Sequence, residues 1–455
     1  MKLILLSGGS GKRLWPLSND SRSKQFLRLL RNPNGQAESM VQRVWRQIGE
    51  AGLANDTLVS TSSVQAELLQ SQLGEVKIIV EPERRDTFPA IALASTYLYG
   101  VEGVAWDETI VVMPVDPYVE ASFMAKLFEL EAVLEHHDLA LIGVKPTYPS
   151  EQYGYIVPGR AQQAAGMRDS IMTVLQFREK PDAKEAKALL AMEALWNCGV
   201  FAFKLNTMIQ LLLDKDLPVQ YEQMLKQYDQ LPKISFDYEV VEKLSSIGVV
   251  PYDGLWKDLG TWEALTEELP HHITGEVNLS EDSHNTHVIN ELDIPVTVLG
   301  CPNLIVATSP DGILVADKSH SNKIKEMMKN THQRPMFEER RWGTHKILAI
   351  SHSDGQEVIV KQVLVKAGCH PTYHYHLKRD EVWTITAGEG ELLIDDEKRL
   401  VSVGDVVAIA AGSRHTIRAL IDLEFIEVQR GSEITEDDFE DIQTEWPVFV
   451  KPAMR

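Results

Sequence analysis

Leu3-Ile4-Leu5-Leu6-Ser7-Gly8-Gly9-Ser10-Gly11-Lys12-Arg13-Leu14-Trp15-Pro16-Leu17-Ser18 is the stretch that decides how the chain is read. Its short apolar run reads as a strand buried on both faces, stopped by a glycine-rich turn. Glycines in such a turn let backbone N–H groups come close to a phosphate, because no Cβ intervenes and positive φ is allowed. Arg13 adds a permanent planar cation suited to phosphate oxygens, and Lys24 follows within Ser23-Lys24-Gln25-Phe26-Leu27. Two common phosphate loops are excluded. The dinucleotide fingerprint needs a glycine where Leu14 stands, and the P-loop needs a glycine at Leu6 and a Ser or Thr at Arg13.

The 455 residues are too many for one core, so two or three domains are expected. A hydrophobic content of 44% and a charged content of 24% describe an ordinary globular protein. The opening apolar run is too short for a signal peptide, and no run reaches the length of a membrane span. Cys198, Cys301 and Cys369 have no paired spacing, which suits a reducing cytoplasm. A net charge of −21 disfavours nucleic acid or an anionic membrane as partner. Basic residues concentrate near the start, at Lys12, Arg13, Arg22, Lys24, Arg28 and Arg31.

Up to about Pro270, β-branched runs such as Thr57–Ser60, Val76–Val80, Thr109–Met113 and Leu139–Gly143 alternate with helical-period stretches such as Ala90–Tyr99 and Ser122–His136. This alternation predicts an α/β domain, with a mostly parallel sheet covered on both faces and ligands at the carboxyl ends of its strands. From His271 to Arg334 short β runs dominate, and the polar stretch Lys318–Arg334 reads as a linker with a helix through Lys323 to Lys329. The remainder is all-β in pattern.

The motif G-G-S-G-x-R-L-W-P-L-S followed by Lys-Gln-Phe-Leu closely resembles the sugar nucleotidyltransferases, and among them the mannose-1-phosphate guanylyltransferases. The resemblance continues through Glu81-Pro82-Glu83-Arg84-Arg85-Asp86-Thr87-Phe88-Pro89, with Asp86 and Phe88 where Asn and Ala are usual. It includes Asp116 (followed by Pro117 where His is usual) and the Trp256-Lys257-Asp258-Leu259-Gly260-Thr261-Trp262 segment. It takes in Gly154-Tyr155, Phe177-Arg178-Glu179-Lys180-Pro181, and Trp196-Asn197-Cys198-Gly199, with Cys for the usual Ser. The resemblance implies in-line attack of mannose 1-phosphate on the α-phosphorus of GTP, giving GDP-mannose and pyrophosphate. Arg13, Lys24, Asp116 and Asp258 are then the catalytic set, with Mg2+ on Asp116 and Asp258. Leu6, Gly8, Gly9, Gly11, Arg13, Glu81, Arg85, Thr87 and Pro89 would bind the nucleotide. Gly154, Glu179, Lys180 and Asn197 would bind the sugar phosphate. Two anions must meet in this reaction, which is why paired carboxylates holding a cation suit it.

In the last part, Gly368-x5-His374-x-His376-x4-Glu381-x6-Gly388 fits the first cupin motif, and Gly404 with Gly412-x2-His415 fits the second more loosely. His374, His376, Glu381 and His415 would hold Zn2+ or another divalent ion. This part resembles the type II phosphomannose isomerase module. After Ile426-Glu427-Val428-Gln429 the family's arginine-bearing segment is replaced by Glu436–Gln443, which has no arginine. The sequence therefore supports the fold and a metal more than it supports isomerase catalysis.

The expected architecture is a Rossmann-like nucleotidyltransferase domain at 1–270, a β-rich connecting module and linker at 271–334, and a jelly-roll cupin at 335–455. The expected protein is a cytoplasmic enzyme and a homo-oligomer, most simply a dimer. The alternatives are a transferase for another sugar or nucleotide, a bifunctional enzyme with an active isomerase, and a non-catalytic sugar-nucleotide sensor.

Overall fold

The computed structural model describes residues 1–9, 12–19, 21–162, 171–328, 334–435, 438–443 and 445–446. Gly11 and the expected helix end at Lys329 lie outside the described residues. The chain forms two compact units: Met1–Leu14, Ser23–His271 and Lys318–Asn322 in one, and Trp15–Arg22, His272–Asp317 and Lys323–Arg455 in the other.

The first unit is built on a nine-stranded sheet. Its order is Lys77–Glu81, Thr57–Ser62, Lys2–Ser7, Thr109–Pro114, Leu195–Lys204, Leu139–Val144, Ile247–Tyr252, Ile171–Arg178 and Tyr155–Gln162. The first four strands are mutually parallel, with Leu3 opposite both Thr57 and Val111. Leu195–Lys204 then runs antiparallel between Thr109–Pro114 and Leu139–Val144, so the sheet is mixed. The opening strand is buried on both faces. Leu3 and Leu5 pack with Phe26, Val44, Val111 and Met113, while Ile4 packs with Ile91, Leu93 and Phe203. The parallel strands end at Ser7, Ser62, Glu81 and Pro114, so their carboxyl ends gather the glycine turn, Glu81 and Asp116 along one margin. The helix expected to run to His136 spans Ser122–Val133.

The second unit contains two β assemblies. Ile273–Thr274, His287–Asn290 and Leu304–Ser309 are parallel neighbours, as are Val277–Leu279 and Val296–Val298, which is the pattern of a small parallel coil. Trp15–Arg22 belongs to this unit. Ser309 Oγ donates to Pro16 O at 2.7 Å, and Asn19 Nδ2 donates to Asp311 at 2.7 Å. Gly312 leaves space for Trp15: a Cβ there would stand 2.5 Å from the indole. Arg22 makes a two-pronged ion pair with Glu291 at 2.8 and 2.9 Å. Of the basic residues near the start, Arg22 is held in a structural pair within the second unit. Among the described residues, two antiparallel sheets form the jelly roll, of six strands and five, around Val363, Trp383, Ile385, Leu392 and Phe425.

Candidate active site and metal centre

In the first unit the opening strand delivers the glycine turn to the sheet margin. Gly9 O accepts from Ser23 Oγ at 2.8 Å and from Gln65 Nε2 at 3.2 Å, which pins the turn. Beside it, Lys24 begins a short 3-10 turn, Lys24–Phe26. Its ammonium lies 2.7 Å from Asp116 Oδ2 and 3.1 Å from Asp258 Oδ1. A two-stranded ribbon brings these carboxylates together: Pro117–Val119 pairs antiparallel with Trp256–Asp258, placing Pro117 opposite Asp258. Arg13 completes the group. The position a Gly260 Cβ would take is 3.2 Å from Arg13 Nη1 and 2.9 Å from Asp258 Oδ1, so a side chain there would crowd both.

Burial alone would lower the Lys24 pKa, but Asp116 and Asp258 more than reverse this and hold the ammonium above its ordinary range. Burial would likewise raise Asp258, yet Lys24 and then Arg13 keep it below the usual carboxylate value. Two carboxylates facing one cation make an all-oxygen donor set. It suits a hard divalent ion such as Mg2+.

On the nucleotide side, the Leu6 carbonyl accepts from the Val115 N–H at 3.2 Å, tying the opening strand to the loop that carries Asp116. Glu81 is buried next to Gly8 and accepts from Tyr228 Oη at 2.8 Å and Ser60 Oγ at 3.2 Å. Its carboxyl is raised by burial. Arg85 donates to Glu83 and to Leu231 O, each at 2.5 Å, so these donors face the protein. Thr87 Oγ1 accepts from the Phe236 N–H at 2.8 Å, and Pro89 is buried in the first turn of helix Thr87–Gly100. The two departures from the family pattern have structural roles. Asp86, at φ 71°, caps this helix by accepting from the Thr87 N–H at 2.8 Å. Phe88 is fully buried in the core.

On the sugar side, Glu179 is buried, and Lys180 Nζ donates to its Oε1 at 2.6 Å. Glu179 Oε2 is buried without a hydrogen-bond partner. Gly154 borders it, and a Cβ there would collide with that oxygen and lie 3.0 Å from Phe177. Asn197 donates from Nδ2 to Asp237 at 2.7 Å and accepts from the Gly199 N–H at 3.0 Å. The sequence reading missed Tyr228, Asp237 and Glu242. They lie outside the motifs quoted above, and their long-range hydrogen bonds reveal them.

In the second unit, His374, His376 and His415 present nitrogens within 4.8 Å of one another, the metal-type cluster found among the described residues. His374 and His415 are direct cross-strand partners, and His376 lies one residue past the strand Tyr373–Tyr375. Each Nδ1 meets a backbone carbonyl: Thr372 at 2.7 Å, Asp438 at 2.7 Å and Ser413 at 2.9 Å respectively. That arrangement turns each Nε2 inward as a ligand atom. Glu381 joins them, with oxygens 3.3 Å from His376 Nε2 and 3.4 Å from His415 Nε2. Burial pushes His374 well down and His376 down to about 4, which favours the neutral, ligating form. For His415 burial is outweighed by Glu381, and its pKa is raised. Arg379 is also buried here, 3.0 Å from His376 Nε2 and 3.4 Å from Glu381 Oε1. It is a cation that the sequence reading did not place. The donor set of imidazoles and one carboxylate fits Zn2+ or a similar ion.

Residues 2–274 match the family model described as nucleotidyl transferase, and residues 325–444 match mannose-6-phosphate isomerase C-terminal. The chain is 29% identical to the alginate biosynthesis protein AlgA of Pseudomonas aeruginosa, over 99% of this chain and 98% of that protein. It is 31% identical to the xanthan biosynthesis protein XanB of Xanthomonas campestris, over 96% and 98%. It is 30% identical to a mannose-1-phosphate guanylyltransferase of Salmonella montevideo, over 96% and 97%. Among solved structures, a mannose-1-phosphate geranyltransferase of Thermus thermophilus superposes with a TM-score of 0.60 at 28% identity, covering 72% of this chain and 98% of that one. No helix among the described residues is long and apolar enough to cross a membrane. With more than half its length matched, the chain belongs to the nucleotidyl transferase family, in a form that also carries a mannose-6-phosphate isomerase C-terminal domain.

Proposed function

We propose that the chain converts mannose 1-phosphate and GTP to GDP-mannose and pyrophosphate. The observation that carries this reading is the convergence of Lys24 on Asp116 and Asp258, beside Arg13. Asp116 and Asp258 would hold Mg2+, which when bound offsets the repulsion between the two reacting phosphates. The protein needs no nucleophile of its own, so its residues act by position and charge. Arg13 faces the departing phosphates, and Lys24 and Lys180 neutralise the α-phosphate and sugar-phosphate region. Gly8 and Gly9 let backbone come close to the triphosphate, while Glu81, Arg85, Thr87 and Pro89 shape the base side. Glu179 and Asn197 read sugar hydroxyls, and Gly154 gives them room. Mannose 1-phosphate and guanylyl transfer are named for the Salmonella montevideo relative, which matches 96% of this chain. Pyrophosphate release with Mg2+, mannose 1-phosphate and each of the four common nucleoside triphosphates tests the assignment. Release with a triphosphate other than GTP alone overturns the guanylyl part.

The second reading is isomerase activity in the cupin, favoured by the three imidazoles with Glu381 and by the buried Arg379. There His374, His376, Glu381 and His415 would hold Zn2+ or another divalent ion. An isomerase assay on mannose 6-phosphate with and without chelator decides it. The three cysteines are free thiols, which supports a cytoplasmic protein. A homodimer is the expected assembly, to be read by light scattering.

A further inference from the structure

One stretch, residues 228–242, holds both halves of the candidate active site. Towards the nucleotide side, Tyr228 Oη donates to Glu81 at 2.8 Å and Leu231 O accepts from Arg85 at 2.5 Å. Ile234 O accepts from the Phe88 N–H at 3.2 Å, and the Phe236 N–H donates to Thr87 Oγ1 at 2.8 Å. Towards the sugar side, Asp237 Oδ1 accepts from Asn197 Nδ2 at 2.7 Å, and Glu242 Oε1 accepts from the Glu179 N–H at 2.9 Å. Asp237 is thus carried on a segment anchored at six points.

The Asn197 amide can present itself two ways, since rotating it exchanges a donor for an acceptor. Here both ends are fixed: Nδ2 by Asp237, and Oδ1 by the Gly199 N–H at 3.0 Å. The Asn197 backbone N–H is tied to Gly154 O at 2.8 Å. One Nδ2 hydrogen and one Oδ1 lone pair remain for a ligand. Glu179 Oε2, buried and unpartnered, adds a pure acceptor beside the space that Gly154 leaves. A fixed donor–acceptor pair next to a fixed acceptor is the complement of vicinal sugar hydroxyls. The carboxylate acceptor is what keeps the amide from turning over.

We propose that Asp237 is a positioning residue for sugar recognition: by holding the Asn197 amide in one orientation it sets which hydroxyl configuration the pocket accepts. This rests on the reading of the pocket as a sugar 1-phosphate site. The test combines steady-state kinetics on mannose 1-phosphate and glucose 1-phosphate with calorimetric binding of mannose 1-phosphate, for the wild type, Asp237→Ala and Asp237→Asn.

Asp237→Ala is expected to raise KM for mannose 1-phosphate about tenfold, with kcat and the KM for GTP within about twofold. The preference for mannose over glucose in kcat/KM falls by about the same factor. Asp237→Asn, whose amide oxygen still accepts from Asn197, restores most of both. If the alanine variant does not fold, Asp237→Ser gives the same readout, because its hydroxyl is too short to reach. An unchanged sugar KM and preference overturn the proposal, as does a parallel rise in the KM for GTP, which marks general loosening of the segment. Wild-type protein that binds no mannose 1-phosphate overturns the pocket reading and the proposal together. Wild-type binding retained unchanged in Asp237→Ala overturns the proposal alone.

Discussion

Gly154 faces the Glu179 carboxylate so closely that no side chain can stand between them: a Cβ on Gly154 would overlap Glu179 Oε2. The glycine of this motif is therefore needed for the buried carboxylate as well as for any ligand. Gly154→Ala must push Glu179 or Phe177 out of place. We expect at least a tenfold loss in affinity for mannose 1-phosphate with GTP binding unchanged, measured by calorimetry for each substrate.

Lys24 carries a second prediction. A buried ammonium with one remaining carboxylate is tolerated, but with none it is an uncompensated charge costing about 3–5 kcal/mol. Asp116→Asn and Asp258→Asn should each lower kcat by about a hundredfold or more while leaving urea stability nearly unchanged. The double variant should lose stability by more than the sum of the two. Additive stability losses in the double variant would contradict the bridging role of Lys24.

Asp237 should leave a mark on the pH dependence of stability. Burial, and next Glu179, push its carboxyl up from its ordinary 3.8 to about 7, with Lys180 and Asn197 pulling the other way. The folded protein therefore keeps a proton that the unfolded chain has lost, so this group's contribution falls as pH rises from about 4 to 7 and is level above that. Asp237→Asn is neutral throughout. Its stability relative to wild type should climb over that window and then flatten, as read from urea midpoints. A difference that shrinks with rising pH would contradict the assignment.

Phe88 and Asp86 carry a prediction about the fold. Phe88 is fully buried and Asp86 caps a helix, so both departures from the family pattern serve the fold. Phe88→Ala should destabilise by about 3–5 kcal/mol through the cavity it leaves. Asp86→Asn should keep both the fold and the triphosphate preference.

The cupin should bind one divalent ion per chain. Trp383 Nε1 donates to Glu381 Oε2 at 3.1 Å, and its ring lies 5.5 Å from that of His415, so its fluorescence should report loading. His374→Ala or His415→Ala should weaken Zn2+ binding at least a hundredfold, leaving pyrophosphate release unaffected.

Much of this was legible because some signals are local. The buried strand, its glycine stop and the alternation that follows fixed the α/β reading, and the observed sheet has that core. Lys24, Asp116 and Asp258 lie far apart in sequence, yet each sits in a recognisable segment, and the structure brings them together. The basic residues near the start were misleading: charge density along a sequence does not show that Arg22 is paired with Glu291. Asp237 was invisible, because its bond to Asn197 spans 40 residues and that of Tyr228 to Glu81 spans 147. Arg379 was not legible because the family's arginine belongs to a C-terminal motif, whereas this one lies between His376 and Glu381.

The most direct test of the central claim is pyrophosphate release by the purified full chain, with Mg2+, mannose 1-phosphate and each of the four nucleoside triphosphates in turn. Release with GTP, lost in Asp258→Asn, is the predicted result. Release from none of the four, or release that survives Asp258→Asn undiminished, would contradict it.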